Sequence, residues 1–409
     1  MTITINDIRS AAEALCGQVE HTPSVPSDAI SDAVGNDVIL KLENLQVTGS
    51  FKARGAFIKL SKLSDQDKAA GVVAVSAGNH AQGVAYHAAK LGIPATIYMP
   101  EGTPFTKVAR TEALGAEVVL TGRRLSDAWT AADRDVREHG KVFVHPFDDP
   151  DIIAGQGTVS LEILNDHPDI DVLIVPIGGG GLISGCAIAA KALNPEIDII
   201  GVQSTLYPAM AQALSGEQIS EDTGATIAEG IAVKTPGELT REIVRDLVSD
   251  VLLVDEIAIE KAVQMYLEGP RVVVEGAGAA SLAALMTNKA RFEGRKVGLI
   301  VSGGNMDSRL LSSVLMRGLV REGRLVSLRI KLPDTPGVLS RVSGLIGDSG
   351  GNIIEVYHQR LNYDVPIKQA DLDVVVETMD RNHVHEILSA LELGGFSVRL
   401  LDSDDGRQR

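Results

Sequence analysis

The segment Val172-Leu173-Ile174-Val175 leads through Pro176 and Ile177 into Gly178-Gly179-Gly180-Gly181-Leu182, and a helical pattern continues to Leu193. A short apolar, β-branched run stopped by glycine reads as a strand buried on both faces. Four glycines before a helix let the main chain wrap closely around a bound group, with the N–H groups of the helix start turned towards it. Phosphate suits such a cup, because the helix N-terminus supplies positive potential. No Gly-Lys-Ser/Thr continuation follows, so the loop is not a Walker A element, and it lacks the Gly-x-Gly-x-x-Gly spacing of a dinucleotide site.

The same strand-then-helix unit recurs on both sides. Val72–Val75, Ala95–Tyr98, Val118–Leu120 and Val142–Val144 read as strands before it, and Ile199–Val202, Val251–Val254 and Val297–Val301 after it. Helical stretches such as Ala81–Leu91 separate them. This alternation predicts an α/β fold with a parallel sheet covered on both faces. Ligands of such sheets sit at the carboxyl ends of the strands, so the chemistry belongs in the loops that follow them. Around Gly318–Arg324 the periodicity breaks and a new order begins. Val326–Lys331 reads as a strand, Gly337–Ile346 as a helix and Asn352–Arg360 as a strand. Asp371–Glu377 is a further strand, His383–Leu393 a helix and Ser397–Leu401 a last strand. That is βαββαβ, the ferredoxin-like order. A polar tail, 402–409, is expected to fray.

Composition narrows the function. The 409 residues exceed one ordinary core, so two or three domains are expected. With 44% hydrophobic and 22% charged residues the chain is of the packed, globular kind. Its net charge of -16 argues against nucleic acid as a partner. The two cysteines, Cys16 and Cys186, form no CxxC pair and suggest neither a disulfide framework nor zinc, only two small buried or half-buried residues. No signal peptide and no membrane-length apolar run is present, so a cytoplasmic location and no membrane partner are expected.

Three further segments carry candidate chemistry. Gly49-Ser50-Phe51-Lys52-Ala53-Arg54-Gly55-Ala56 sets a lysine among small residues and one aromatic, the desolvated setting a nucleophilic amine requires, although a solvated surface lysine fits the same residues. Ser76-Ala77-Gly78-Asn79-His80 follows a strand and opens a helix. Its N–H groups suit a carboxylate and Asn79 a phenolic oxygen, while a plain helix cap by Ser76 or Asn79 explains it equally well. Val301-Ser302-Gly303-Gly304-Asn305 ends another strand, where the Ser302 hydroxyl could meet a ring nitrogen or cap a helix.

Taken in order, these segments resemble the fold-type II pyridoxal-phosphate enzymes, and among them the threonine ammonia-lyases (threonine dehydratases). Lys41-Leu42-Glu43-Asn44, Gln82-Gly83 and Glu275-Gly276-Ala277-Gly278 add to the resemblance, which spans roughly residues 5–320. It implies a two-lobed catalytic domain of the tryptophan synthase β kind over 1–320, with a mobile small subdomain at about 47–150. It also implies pyridoxal 5'-phosphate as cofactor and an L-threonine substrate, with L-serine as a second one. Lys52 would be the catalytic, Schiff-base lysine and the base for the Cα proton. Phe51 would pack on the cofactor ring, Asn79 bind its hydroxyl and Ser302 face its nitrogen. Gly178, Gly179, Gly180, Gly181 and Leu182 would hold the phosphate. Ser76, Ala77, Gly78, Asn79 and His80 would cradle the substrate carboxylate.

Serine racemases are similar to this scaffold but place a serine where Ala77 stands, which argues for elimination over racemisation. A hydroxyaspartate-type ammonia-lyase and a non-enzymatic sensor that retains pyridoxal phosphate are the other readings. Gln203 and Glu229 depart from the Glu and Asp frequent in the family, and no metal site is predicted.

Residues 326–401 resemble an ACT domain through Leu332-Pro333-Asp334-Thr335-Pro336-Gly337-Val338-Leu339 and Gly351-Asn352-Ile353-Ile354. Pro336, Gly337, Val338, Asn352 and Ile353 would bind an amino-acid effector, isoleucine or valine, between subunits of a homo-oligomer, a dimer or tetramer. The whole implies allosteric control in isoleucine biosynthesis. A purely structural assembly module is the alternative.

Overall fold

A computed structural model describes residues 3–220, 224–359 and 368–401. The expected tail 402–409 lies outside the described residues, as does Arg360 at the end of one expected strand. Two compact units divide after Asp307.

Among its described residues the first unit holds ten strands: β1 (Ser24–Pro26), β2 (Asp37–Leu42), β3 (Val72–Val75), β4 (Ala95–Met99), β5 (Glu117–Leu120), β6 (Val142–Phe143), β7 (Val172–Pro176), β8 (Asp198–Ser204), β9 (Asp250–Val254) and β10 (Lys296–Val301). Every strand expected here from the apolar runs is present. They form two sheets, however, where the alternation suggested one. β5-β4-β3-β6 is wholly parallel, and β1-β2-β10-β7-β8-β9 is parallel except for β1. Periodicity identifies strands but not their neighbours, and that is why the division escaped it.

Strand order places the chemistry. In the smaller sheet the chain runs outward from β3 through β4 to β5, then crosses back to put β6 on the other side of β3. In the larger sheet it runs from β7 through β8 to β9, then returns to put β10 beside β7. Each reversal opens a crevice at the strand ends. The loops at the first are Ser76–His80 and His145–Phe147. Those at the second are Ile177–Gly180 and Ser302–Asn305.

β2 eluded the apolar-run reading because Lys41 interrupts it. That lysine is wholly buried, and its ammonium donates to the Thr22 carbonyl (2.6 Å) and to Glu162 (2.6 Å). Beside it Arg54, also wholly buried, donates to both carboxylate oxygens of Glu43 (2.7 and 2.8 Å) and to Glu162 (2.6 and 2.8 Å). Two cations and two carboxylates cancel. Burial alone would raise the Glu43 carboxyl, but the Arg54 guanidinium more than offsets it and the net shift is downward. The network ties β2 and the helices Lys52–Ser61 and Pro150–Asp166 together.

In the second unit the helix Ser308–Glu322 runs through Gly318 and stops at Gly323, whose φ of 71° closes it. β11 (Leu325–Pro333), the helix Val338–Asp348, β12 (Asn352–Gln359), β13 (Gln369–Glu377), the helix Arg381–Leu393 and β14 (Ser397–Leu400) then give βαββαβ. The antiparallel sheet has the order β12-β13-β11-β14. Along β13 buried residues alternate with more exposed ones, as one-sided cover by two helices demands, whereas β3, β4 and β7 are buried throughout. Among the described residues no helix is long and apolar enough to cross a membrane. Cys186 is buried as expected; Cys16 is exposed, lying just past the buried Leu15 that ends the first helix.

Replacing Arg54 with Met removes one partner from a buried ion network, which typically costs about 3–5 kcal/mol. A clearly lowered urea midpoint for the first unit is expected, and a wild-type midpoint would mean that the network is dispensable.

Candidate active site

Lys52 begins its helix directly after a turn fastened to the end of β10. Phe51 N donates to the Ser302 carbonyl (3.2 Å), Gly304 N donates to the Gly49 carbonyl (2.9 Å), and Ser50 bridges Gly303. Lys52 and Ser302 are thus held on neighbouring backbones at one crevice. Phe51 packs on the core of the larger sheet, its ring 5.2 Å from the Lys52 ammonium.

Lys52 Nζ donates to the Pro146 carbonyl (2.6 Å), in the loop after β6. Some of the residue remains accessible, yet protein crowds the ammonium itself. Burial pushes its pKa down to about 8, against an upward pull from Glu275. Burial, reinforced by Lys52, pushes the His80 imidazole down to about 3, although its bond to the Val144 carbonyl opposes this. Since that carbonyl only accepts, Nε2 carries the His80 proton. Burial also lowers His145, whose Nδ1 accepts from the N–H groups of Phe147 and Asp148. Two neutral imidazoles therefore flank an amine that gives up its proton easily.

Close neighbours crowd all four glycines, and Gly180 also needs its left-handed backbone. A Cβ on Gly179 would lie 2.3 Å from the Phe147 ring, and one on Gly181 would lie 2.8 Å from the Phe147 carbonyl. At Gly180, with φ of 100°, it would meet Met210 and Thr240 at 2.8 Å. At Gly178 it would come within 3.2 Å of Gly230 and Ile231. The Thr240 hydroxyl donates to the Gly179 carbonyl (2.7 Å), and Asp148 accepts from Thr240 N and Glu238 N. The loop before Gly178 is pinned by Gln203, which donates to the Ile177 carbonyl while accepting from Met210 N and Ala211 N. An ionised glutamate at 203 could accept the same two N–H groups but could not donate to the Ile177 carbonyl.

Two of the helix starts that lack a side-chain cap lie at the crevices. Gly181–Leu193 begins at Gly180 and Asn79–Leu91 at Gly78, and no side chain caps either. Ser64, Asp149, Asp255 and Asp380, by contrast, cap their own helices. The capping explanation of Ser76 and Asn79 therefore fails. Ser76 Oγ accepts from Gly78 N (3.2 Å) and braces the turn, while Asn79 points to Glu275 (2.7 Å) and Asn305 (2.8 Å). The first N–H groups of both helices have no intrahelical acceptor and stand ready for anions.

An amine easily deprotonated, a glycine cup under an open helix start and a second open helix start converge at the two crevices. Residues 15–303 match the family model described as pyridoxal-phosphate dependent enzyme. The chain belongs to the pyridoxal-phosphate-dependent enzyme family. Pyridoxal phosphate is its cofactor, and these residues fit it, with an amine for the aldehyde and a glycine cup for the phosphate. Residues 326–392 of this pyridoxal-phosphate-dependent enzyme match the ACT domain.

An L-threonine ammonia-lyase of Thermotoga maritima is 45% identical over 98% of this chain and 100% of its own length. The catabolic L-threonine dehydratase TdcB of Escherichia coli K12 is 46% identical over 77% of this chain and 96% of its own. A solved maize serine racemase superposes with a TM-score of 0.73 at 38% identity, covering 78% of this chain and 99% of that one.

Sequence reasoning gave no role to Glu275, to the loop His145–Phe147 or to Thr240. Glu275 had appeared only as part of a motif, and its signal was an acid set among small and apolar residues. In the ACT unit Pro336, Gly337 and Val338 line a cleft with Leu332 and His358, whose buried Nε2 has no hydrogen-bond partner among the described residues. Asn352 and Ile353 are not brought there within one chain. They pair with Glu377 and Val376 at the opposite end of β13, and Asn352 donates to Glu377 (2.9 Å). β12 runs its whole length between the two places, so His358, not Asn352, reaches the cleft of its own chain.

Two results are expected. Gly179→Ala drives a methyl into Phe147, an overpacking of about 1–3 kcal/mol, and should weaken pyridoxal-phosphate binding about tenfold. Adding Phe147→Ala should recover part of the loss in equilibrium dialysis, and undiminished binding by Gly179→Ala alone would remove the cup from its role. In cofactor-free protein, competitive amine labelling of Lys52 should rise as pH passes about 8, the neutral form being the reactive one. A midpoint at an ordinary lysine's pKa, about 10.4, would show the amine to be solvated.

Proposed function

We propose that this protein eliminates water from L-threonine, with L-serine as a second substrate, and releases ammonia and a 2-oxo acid. The observation that carries the reading is the Lys52 amine, lowered to about 8 and placed between the crevices of both sheets. When bound, pyridoxal phosphate supplies an electron sink for a carbanion at the substrate Cα. The chain supplies the rest. Lys52 would hold the cofactor, and its Nζ, neutral once its proton is lost, would take the proton from the substrate Cα. The open helix start at Ser76–His80 receives the substrate carboxylate, with His80 neutral so that it adds no competing charge. Gly178–Leu182 receive the phosphate. Asn79 donates to the ring oxygen and Phe51 packs beside the ring. Ser302 would lie by the ring nitrogen, where its hydroxyl, unlike an aspartate, could not hold a proton there; that would favour loss of a leaving group.

The solved serine racemase of maize makes racemisation the second reading. Ala77, packed against the core of the smaller sheet, offers no hydroxyl to return a proton from the other face, and this favours elimination.

Residues up to about 320 form the catalytic domain, with 47–150 as its small, mobile part, and 326–401 form the regulatory domain. The cleft at Pro336, Gly337 and Val338 with His358 takes the effector, isoleucine or valine, and Asn352 and Ile353 of a partner subunit complete it. β12 lies at the sheet edge with Ile354, Val356 and Tyr357 exposed, which supports pairing in a homo-oligomer, a dimer or tetramer. Allosteric control in isoleucine biosynthesis in the cytoplasm follows from this reading.

Purified protein given L-threonine should form 2-oxobutanoate, and Lys52→Ala should abolish turnover together with the pyridoxyl label trapped by borohydride. Absence of product from cofactor-loaded protein would overturn the activity, and D-serine formed from L-serine faster than pyruvate would favour the racemase. Isoleucine or valine should displace the threonine saturation curve, less so in His358→Ala; superimposable wild-type curves would discard the effector site.

A further inference from the structure

The hydrogen bonds around Asn79 form a one-way chain. Asn305 Nδ2 donates to the Thr48 carbonyl (2.7 Å), an atom that can only accept, so the orientation of the Asn305 amide is fixed by its partner. The same Nδ2 donates its other hydrogen to Asn79 Oδ1 (2.8 Å). Asn79 Nδ2 must then be the donor on its opposite side, and it donates to Glu275 Oε1 (2.7 Å). Asn79 has spent its oxygen and one N–H on protein. One N–H is left for a ligand, and only an acceptor can use it.

Glu275 is itself immobilised. Its backbone N–H donates to the Gly303 carbonyl (3.1 Å), and its carboxylate fills the space where a Cβ on Gly303 would stand, 2.5 Å from Oε1. The charged groups around it are Glu229 in the short helix Glu229–Ile231, Lys107 in the helix Phe105–Ala113, and Lys52. Burial lifts the carboxyl to about 7, Glu229 adds to the rise, and the Asn79 bond, Lys107 and Lys52 oppose it.

We propose that Glu275 and Asn305 are positioning residues that clamp the Asn79 amide with its nitrogen, and not its oxygen, towards the ring oxygen of bound pyridoxal phosphate. The inference rests on the placement of Asn79 given under the proposed function. It accounts for two residues outside the strands and helices that carry the reacting groups. An amide free to turn would present its oxygen to an anionic ring oxygen half of the time, and repulsion would replace the hydrogen bond.

The test compares holoenzymes of Asn79→Ala, Glu275→Ala, Glu275→Gln and Asn305→Ala, each checked by thermal unfolding. The visible absorption maximum of the cofactor and its dissociation constant by equilibrium dialysis are the readouts, neither of which needs turnover. Asn79→Ala, Glu275→Ala and Asn305→Ala should each displace the maximum and weaken cofactor binding about tenfold, the size of one hydrogen bond. Glu275→Gln keeps an oxygen acceptor and should stay close to wild type, a rescue that simple loss of packing does not predict. If Asn79→Ala moves both readouts while Glu275→Ala and Asn305→Ala move neither, the clamp is refuted and the role of Asn79 stands. If Asn79→Ala moves neither, that role falls and the clamp with it. Should Glu275→Ala fail to fold, Asn305→Ala alone decides, since it releases the same amide from the other side.

Discussion

The active site depends on a cation it never uses. Arg54 stands two residues after Lys52, wholly buried, and takes hold of Glu43 at the end of β2 and Glu162 on the helix Pro150–Asp166. A buried guanidinium is tolerable only with its carboxylates in place, so the first turn of the lysine helix has one position relative to both. With Arg54 fixed, the backbone at Lys52 is fixed, and the turn Gly49–Phe51 can meet Ser302–Gly304 in register. The reactive lysine needs room to change partners. Its helix does not, and the ion network separates those two demands.

The second constraint is the contact between the loops of the two sheets. His145–Phe147 leaves β6 of the smaller sheet, yet Phe147 lies against the glycines that follow β7 of the larger one, and Pro146 receives the Lys52 proton donor. One short segment therefore sets both the cup and the resting position of the amine. The absence of side chains on Gly179 and Gly181 is the complement of Phe147. Seen this way, the four glycines are a packing solution between two crevices, and the open N–H groups are what the packing leaves exposed.

Much of this was legible in the chain itself. Apolar runs such as Val172–Val175 announced their strands because both faces are buried and no polar residue dilutes them. The Gly178–Gly181 loop stood out because four glycines between a strand and a helix leave the backbone bare, and the structure adds that Phe147 packs against two of them. What escaped shares a physical cause: pairing over long sequence distances leaves no local trace. Lys41 hides β2 because its partner Glu162 is 121 residues away. Capping stays open for Ser76 and Asn79 in the sequence because local hydrogen bonding is the usual use of such residues at a helix start, and only the tertiary partners Glu275 and Asn305 take Asn79 away from it. That Asn352 and Gly337 lie far apart within one chain is equally invisible locally, because a strand's register is unknown until its partner strand is.

The same reasoning explains why Gln203 and Glu229 are better understood as contacts than as departures from a pattern. Gln203 sits on β8, beside the strand that delivers the glycines. Its amide can donate to the Ile177 carbonyl and accept two backbone N–H groups at once, a combination closed to a carboxylate. Glu229 pairs with Lys107, so a side chain near the glycine cup reaches one on the helix that follows β4 of the other sheet. Glu229 thus helps hold the two crevices against each other, whereas Gln203 braces the loop that leads into the glycine cup.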